Sequence, residues 1–99
     1  MYTDLVSQKQ SFLAWSSTIL TALANPTRLA IMTIIQYREC SVGQICGAVD
    51  LSQSAVSQHL GKLRTAQLVT ARKDAQNVYY SSSSGAAQQI LLLLRELDI

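Results

Sequence analysis

The sequence predicts a mainly α-helical domain with one small β-hairpin, built to associate with a second copy. Apolar residues recur at helical spacing over most of the chain, and a single segment rich in Val, Thr and Tyr breaks that period near position 70. Of the 99 residues, 48% are hydrophobic and only 14% charged. A chain of this length buries a modest share of its surface, so apolar area is left over for another subunit. One domain covering residues 1–99 is expected.

The elements follow in order. Thr3 to Ala24 has few breakers and includes Leu5, Phe12, Leu13, Ile19, Leu20 and Leu23, which predicts a first helix. Asn25 and Pro26 end it and start the next, because Asn caps well and Pro is pre-organised for the first helical position. That second helix should run to about Tyr37, with Leu29, Ile31, Met32, Ile34 and Ile35 inward. Ser41 is the next cap, and Val42, Ile45, Cys46 and Val49 give a short third helix one apolar face. Asp50 and Leu51 make a tight connection, after which Ser52 caps a fourth helix reaching about Ala66. Val56, Leu60 and Leu63 are its buried stripe.

Next come "LVTARK" and "NVYYS", separated by "DAQ", which read as a β-hairpin. The run Ser81 to Ser84 reads either as the cap of a last helix or as a flexible linker. That helix, near 84–97, carries Ile90, Leu91, Leu92, Leu93, Leu94 and Leu97 around too much of its circumference for one-sided burial. The helices near 3–24 and 84–97 are therefore the expected dimerisation elements.

Two helices joined by a tight turn and followed by a hairpin give the order of a winged helix-turn-helix, in which the second helix of the pair is exposed. Charge is distributed accordingly. Residues 1–50 balance, whereas 51–80 hold Lys62, Arg64, Arg72 and Lys73 against Asp74 alone, and no acid occurs from Leu51 through Ala71. At 100° per residue, Ser54, Ser57, Gln58, Gly61 and Thr65 lie opposite the buried stripe. Gln can bond adenine through two hydrogen bonds, Ser can bond several base edges, and Gly lets a duplex come close. Gln53, in the first turn, is a further base or phosphate contact. Lys62 and Arg64, with Arg72, Lys73 and Gln76 on the hairpin, are placed for phosphates. Arg28 opposes its helix dipole and reads either as a phosphate contact or as an exposed arginine paired with an acid. His59, beside the stripe, is expected to be a packed or hydrogen-bonded residue.

Other classes fare worse. No apolar run approaches the roughly 18 residues of a membrane span, and the N-terminus lacks the order of a signal peptide, so a cytoplasmic protein is expected. Its two cysteines are expected as free thiols. One histidine without a supporting acid does not activate a nucleophile, and no glycine-rich phosphate loop occurs, so no enzyme and no cofactor are expected.

"ALANPTRLAIM", "SVGQIC", "LSQSAVSQHLGKLRTAQLV" and "RKDAQNVYYSSSS", in this order, resemble the ArsR/SmtB family of bacterial transcriptional repressors. Within it, the third and fourth of these segments are similar to the branch of the rhizobial nodulation repressor and the Vibrio haemolysin regulator. The resemblance implies a homodimer on a palindromic double-stranded operator, with two fourth helices in successive major grooves. Many members of the family bind a metal. Here "SVGQIC" keeps only Cys46 of the family's third-helix cysteines, with Cys40 displaced by one, and the last helix has no histidine, so no metal is expected. A thiol-responsive regulator using Cys40, with Cys46 as a second thiol, is an alternative, since Cys40 precedes the helix cap and is read as exposed. A winged-helix module that binds protein instead of DNA is an alternative of another class.

Overall fold

The computed structural model describes the backbone of residues 2–98 and the side chains of residues 9–98. Helix α1 (Tyr2–Leu23) is followed by α2 (Pro26–Ile35), strand β1 (Cys40–Ser41), α3 (Val42–Val49), α4 (Gln53–Thr65), strands β2 (Val69–Asp74) and β3 (Asn77–Ser82), and α5 (Gly85–Leu97). Leu5 lies outside the described side chains.

The helix starts are fixed by the expected caps. Asn25 Oδ1 accepts from the Arg28 amide at 3.1 Å, and Pro26 opens α2. Ser41 and Gln44 form a reciprocal capping box: Ser41 Oγ accepts from the Gln44 amide and Gln44 Oε1 from the Ser41 amide. Ser52 Oγ accepts from the Ala55 amide, and Ser84 Oγ from the Ala87 amide. The serine run is therefore no linker, because Ser81 and Ser82 belong to β3 and Ser84 caps α5.

Two boundaries differ from expectation. α2 stops at Ile35 instead of Tyr37, and the chain bends away at a buried Gln36 so that Cys40 can enter a sheet. The sheet has three strands in the order β1-β3-β2, not two. Cys40 pairs with Tyr80 and Ser41 with Tyr79, while β2 and β3 pair from Val69 with Ser82 to Asp74 with Asn77. A two-residue strand is too short to leave a period of two in the sequence.

The core collects Ile19 and Leu23 of α1, Ile31, Met32 and Ile35 of α2, Ile45 of α3, and Val56, Leu60 and Leu63 of α4, together with Leu68 and Val69. The α3–α4 connection turns through Asp50, which adopts a left-handed conformation at φ 56° and whose amide donates to Cys46 O. α1 and α5 are different. Phe12, Leu13, Trp15 and Leu20 of α1 and Leu92, Leu93, Leu94 and Leu97 of α5 are exposed. Among the described residues these two helices present more apolar surface than the single chain covers.

Candidate nucleic-acid interface

α4 is held by one side and open on the other. Val56, Leu60 and Leu63 are at most 1% exposed, whereas Gln53, Ser54, Ser57, Gln58, Gly61, Lys62, Arg64 and Thr65 are exposed. At 100° per residue the four polar residues of the first two turns run around the helix as Gln53, Ser57, Ser54, Gln58. The two ends of that arc face different neighbours. Gln53 shares a hollow of about 260 Å³ with Ser41 and Gly43 at the start of α3 and with Gln76 and Asn77 at the hairpin turn. Gln58 lines a cleft shared with α1. The serines between them lie on the outward side.

Nothing lies within 4 Å of where a Gly61 Cβ would stand, so the backbone there is open to close approach. Thr65 turns its hydroxyl back onto Gly61 O at 2.9 Å. Lys62 and Arg64 fall in the last turn, where a cation suits the helix dipole.

Arg28 is placed otherwise than expected. It is only 8% exposed, and Nε donates to Ala22 O at 2.6 Å and Nη2 to Thr21 O at 3.4 Å. Nη1 faces His59 Nδ1 at 3.3 Å. It is thus no exposed phosphate contact, and among the described residues it is not one arm of an acid pair. It supplies donors to two of the last carbonyls of α1: Ala22 O, and Thr21 O, which also accepts from the Ala24 amide at 3.2 Å. His59 is the hydrogen-bonded residue expected. Burial, the Arg28 charge and then Lys62 hold its pKa below the ordinary 6.5, so it is the neutral ring that meets Arg28.

The hairpin is also less simply basic than its composition. Arg72 lies 4.8 Å over the Tyr79 ring and forms a two-pronged pair with Glu39, Nη2 to Oε1 at 2.5 Å and Nε to Oε2 at 3.2 Å. Asp74 is 3.9 Å away on the other side. The hydrogen bonds from Arg72 lower the pKa of Glu39. Arg72 is therefore not a free cation aimed at a phosphate. Glu39 was not legible as its partner, because only the pairing of β1 with the central strand β3 brings the segment before Cys40 within reach of Arg72 on β2. Lys73 and Gln76 are exposed, and the hairpin turns at Ala75 with φ 55°.

Cys40, expected to be exposed, is 1% exposed within the core, and its Sγ points to Arg38 O at 3.9 Å. Pairing in β1 turns this side chain inward. Cys46 is half-buried and both thiols are free.

Residues 25–71 match the family described as bacterial regulatory protein, arsR family. The nodulation protein NolR of Rhizobium meliloti is 53% identical over 62 residues, 63% of this chain and 51% of that protein. The transcriptional activator HlyU of Vibrio cholerae serotype O1 is 48% identical over 63 residues, 64% and 58% respectively. The matched stretch thus spans little more than half the length of these curated relatives. The crystal structure of NolR from Sinorhizobium fredii superposes with a TM-score of 0.85 at 45% identity, covering 92% of this chain and 91% of that one. A homodimeric winged helix-turn-helix DNA-binding domain from Mycobacterium bovis superposes at 0.82 with 26% identity, covering 91% and 83%.

Proposed function

Because the chain belongs to the arsR family of bacterial regulatory proteins, we propose that it binds double-stranded operator DNA as a homodimer and represses transcription where its site overlaps a promoter. The family is one of transcriptional regulators, not of enzymes. The observation that carries the proposal is the exposed side of α4, polar but uncharged over Gln53, Ser54, Ser57 and Gln58 and cationic only afterwards, at Lys62 and Arg64. Donors and acceptors without net charge suit base edges, and cations suit phosphates. In this reading the four polar residues enter the major groove, and Lys73 and Gln76 of the hairpin reach the adjoining backbone.

The exposed apolar residues of α1 and α5 support the dimer, and the Mycobacterium bovis relative is described as homodimeric. A two-fold dimer presents two α4 helices and so fits a palindromic site. The protein would act in the cytoplasm, where such DNA lies. The thiol-responsive alternative is disfavoured by the burial of Cys40.

The test is fluorescence anisotropy with a duplex taken from upstream of the protein's own gene, against a shuffled duplex, over a range of salt. Tight binding to the first that weakens steeply with salt is expected. Equal binding to both would favour a protein-binding module on the same scaffold.

A further inference from the structure

We propose that the cleft between α1 and α4 is a binding site for a small organic acid, an apolar body carrying one carboxylate. The cleft is a broad, solvent-open groove of about 870 Å³ between Thr18 and Thr21 of α1 and Gly61 and Thr65 of α4, with Arg28 and Lys62 also on its wall. Among the described residues, no acid lines it.

Arg28 gives the site its chemistry. It is more than nine-tenths buried, yet among the described residues both ion pairs belong to Arg72 and none to Arg28. A guanidinium has five N–H groups. One makes a short bond to Ala22 O, two make long contacts to Thr21 O and His59, and the others meet no acceptor among the described residues. A buried cation without a counter-charge is unfavourable, and an anion in the cleft supplies one. The cleft is much larger than a bare oxyanion, and most of its wall is apolar, which selects an organic body over a hydrated inorganic ion.

The same cleft touches the outward side of α4 through Gln58 and Lys62. An occupant that engages them competes with DNA for these two side chains, so the ligand lowers operator affinity. That regulatory step rests on the DNA-binding reading; ligand binding itself does not.

The experiment is a titration of the full chain, followed by amide chemical shifts, with 2-naphthoate, its neutral amide 2-naphthamide, and inorganic phosphate. Saturating shifts at Thr18, Thr21, Gly61 and Thr65 are expected with naphthoate, with the amide and phosphate each at least about tenfold weaker, the equivalent of one missing ionic or apolar contribution. Gly61→Leu, whose new side chain starts in open space, should stay folded, fill the cleft and weaken naphthoate at least about tenfold. Absence of saturation overturns the proposal, as does intact binding to Gly61→Leu. Equal binding of naphthamide would leave a merely apolar groove, and equal binding of phosphate a bare oxyanion site such as a DNA backbone uses; either result overturns the organic acid. In the anisotropy assay, saturating naphthoate should weaken the operator complex by at least about threefold, and an unchanged affinity overturns the regulatory step. A chain that binds naphthoate but no DNA sequence specifically would sink the DNA reading and leave the site standing.

Discussion

Arg28 Nη1 lies 3.3 Å from His59 Nδ1, joining the start of α2 to the middle of α4, while Arg28 Nε holds the end of α1 through Ala22 O at 2.6 Å. One buried guanidinium thus ties three helices together. Arg28→Ala removes the donor from Ala22 O and one of the two donors from Thr21 O, and should destabilise the fold by about 2–4 kcal/mol, read from the urea midpoint. Arg28→Lys should recover only part of this, because a single ammonium does not reproduce the fork. A loss near zero would show that these three hydrogen bonds do not hold the helices.

The other member of that pair makes stability depend on pH. The pKa of His59 is held below 6.5 in the folded chain, first by burial and then by Arg28 and Lys62. The unfolded chain therefore binds more protons between the folded value and about 6.5. Stability should fall as pH is lowered through that window and level off below it. His59→Gln retains an acceptor for Arg28 without titrating, so its thermal midpoint should decline less between pH 7.5 and 5.5. Parallel declines in the two proteins would remove His59 as the cause.

Ser57→Ala combined with Gln58→Ala should weaken the specific DNA complex by about 1–3 kcal/mol for each base edge no longer bonded, with binding to shuffled DNA changed far less. Unaltered sequence preference in a folded double variant would remove this side of α4 from base reading.

Glu39→Gln is expected to strengthen DNA binding. It releases Arg72 from its paired carboxylate, and one more phosphate contact steepens the dependence of log K on log salt by about 0.9. Lys62→Gln should make that slope shallower by a similar amount. Anisotropy over a salt series separates both from the native protein, and an unchanged slope in Glu39→Gln would mean that Arg72 does not reach a phosphate.

Leu93→Asp with Leu97→Asp places charge on α5 at positions 54% and 66% exposed in the single chain. The helical circular dichroism should be largely kept, while sedimentation changes from the mass of two chains to that of one. A dimer that survives would put the interface elsewhere.

Much of this architecture is legible in the sequence for a definite reason. Asn25, Ser41, Ser52 and Ser84 act on amides three residues away, so caps and helix starts are local information. The stripe of Val56, Leu60 and Leu63 is equally local and also marks the opposite side of α4. What was not legible depends on partners distant in the chain. Arg28 and His59 are 31 residues apart, Arg72 and Glu39 33 apart, and segment charge counts cannot register either pairing. The burial of Cys40 follows from a strand of two residues whose partner Tyr80 lies on the far side of α4 in sequence.

That short strand has a mechanical consequence. Ser41 at once pairs with Tyr79 of the hairpin and caps α3, the helix that leads directly into α4. The hairpin and α4 are thereby two jaws of one caliper, and if α4 reads DNA as proposed their separation is set before any duplex arrives. Such a caliper gives up little freedom on closing over DNA, and it would select operators by groove spacing as well as by bases.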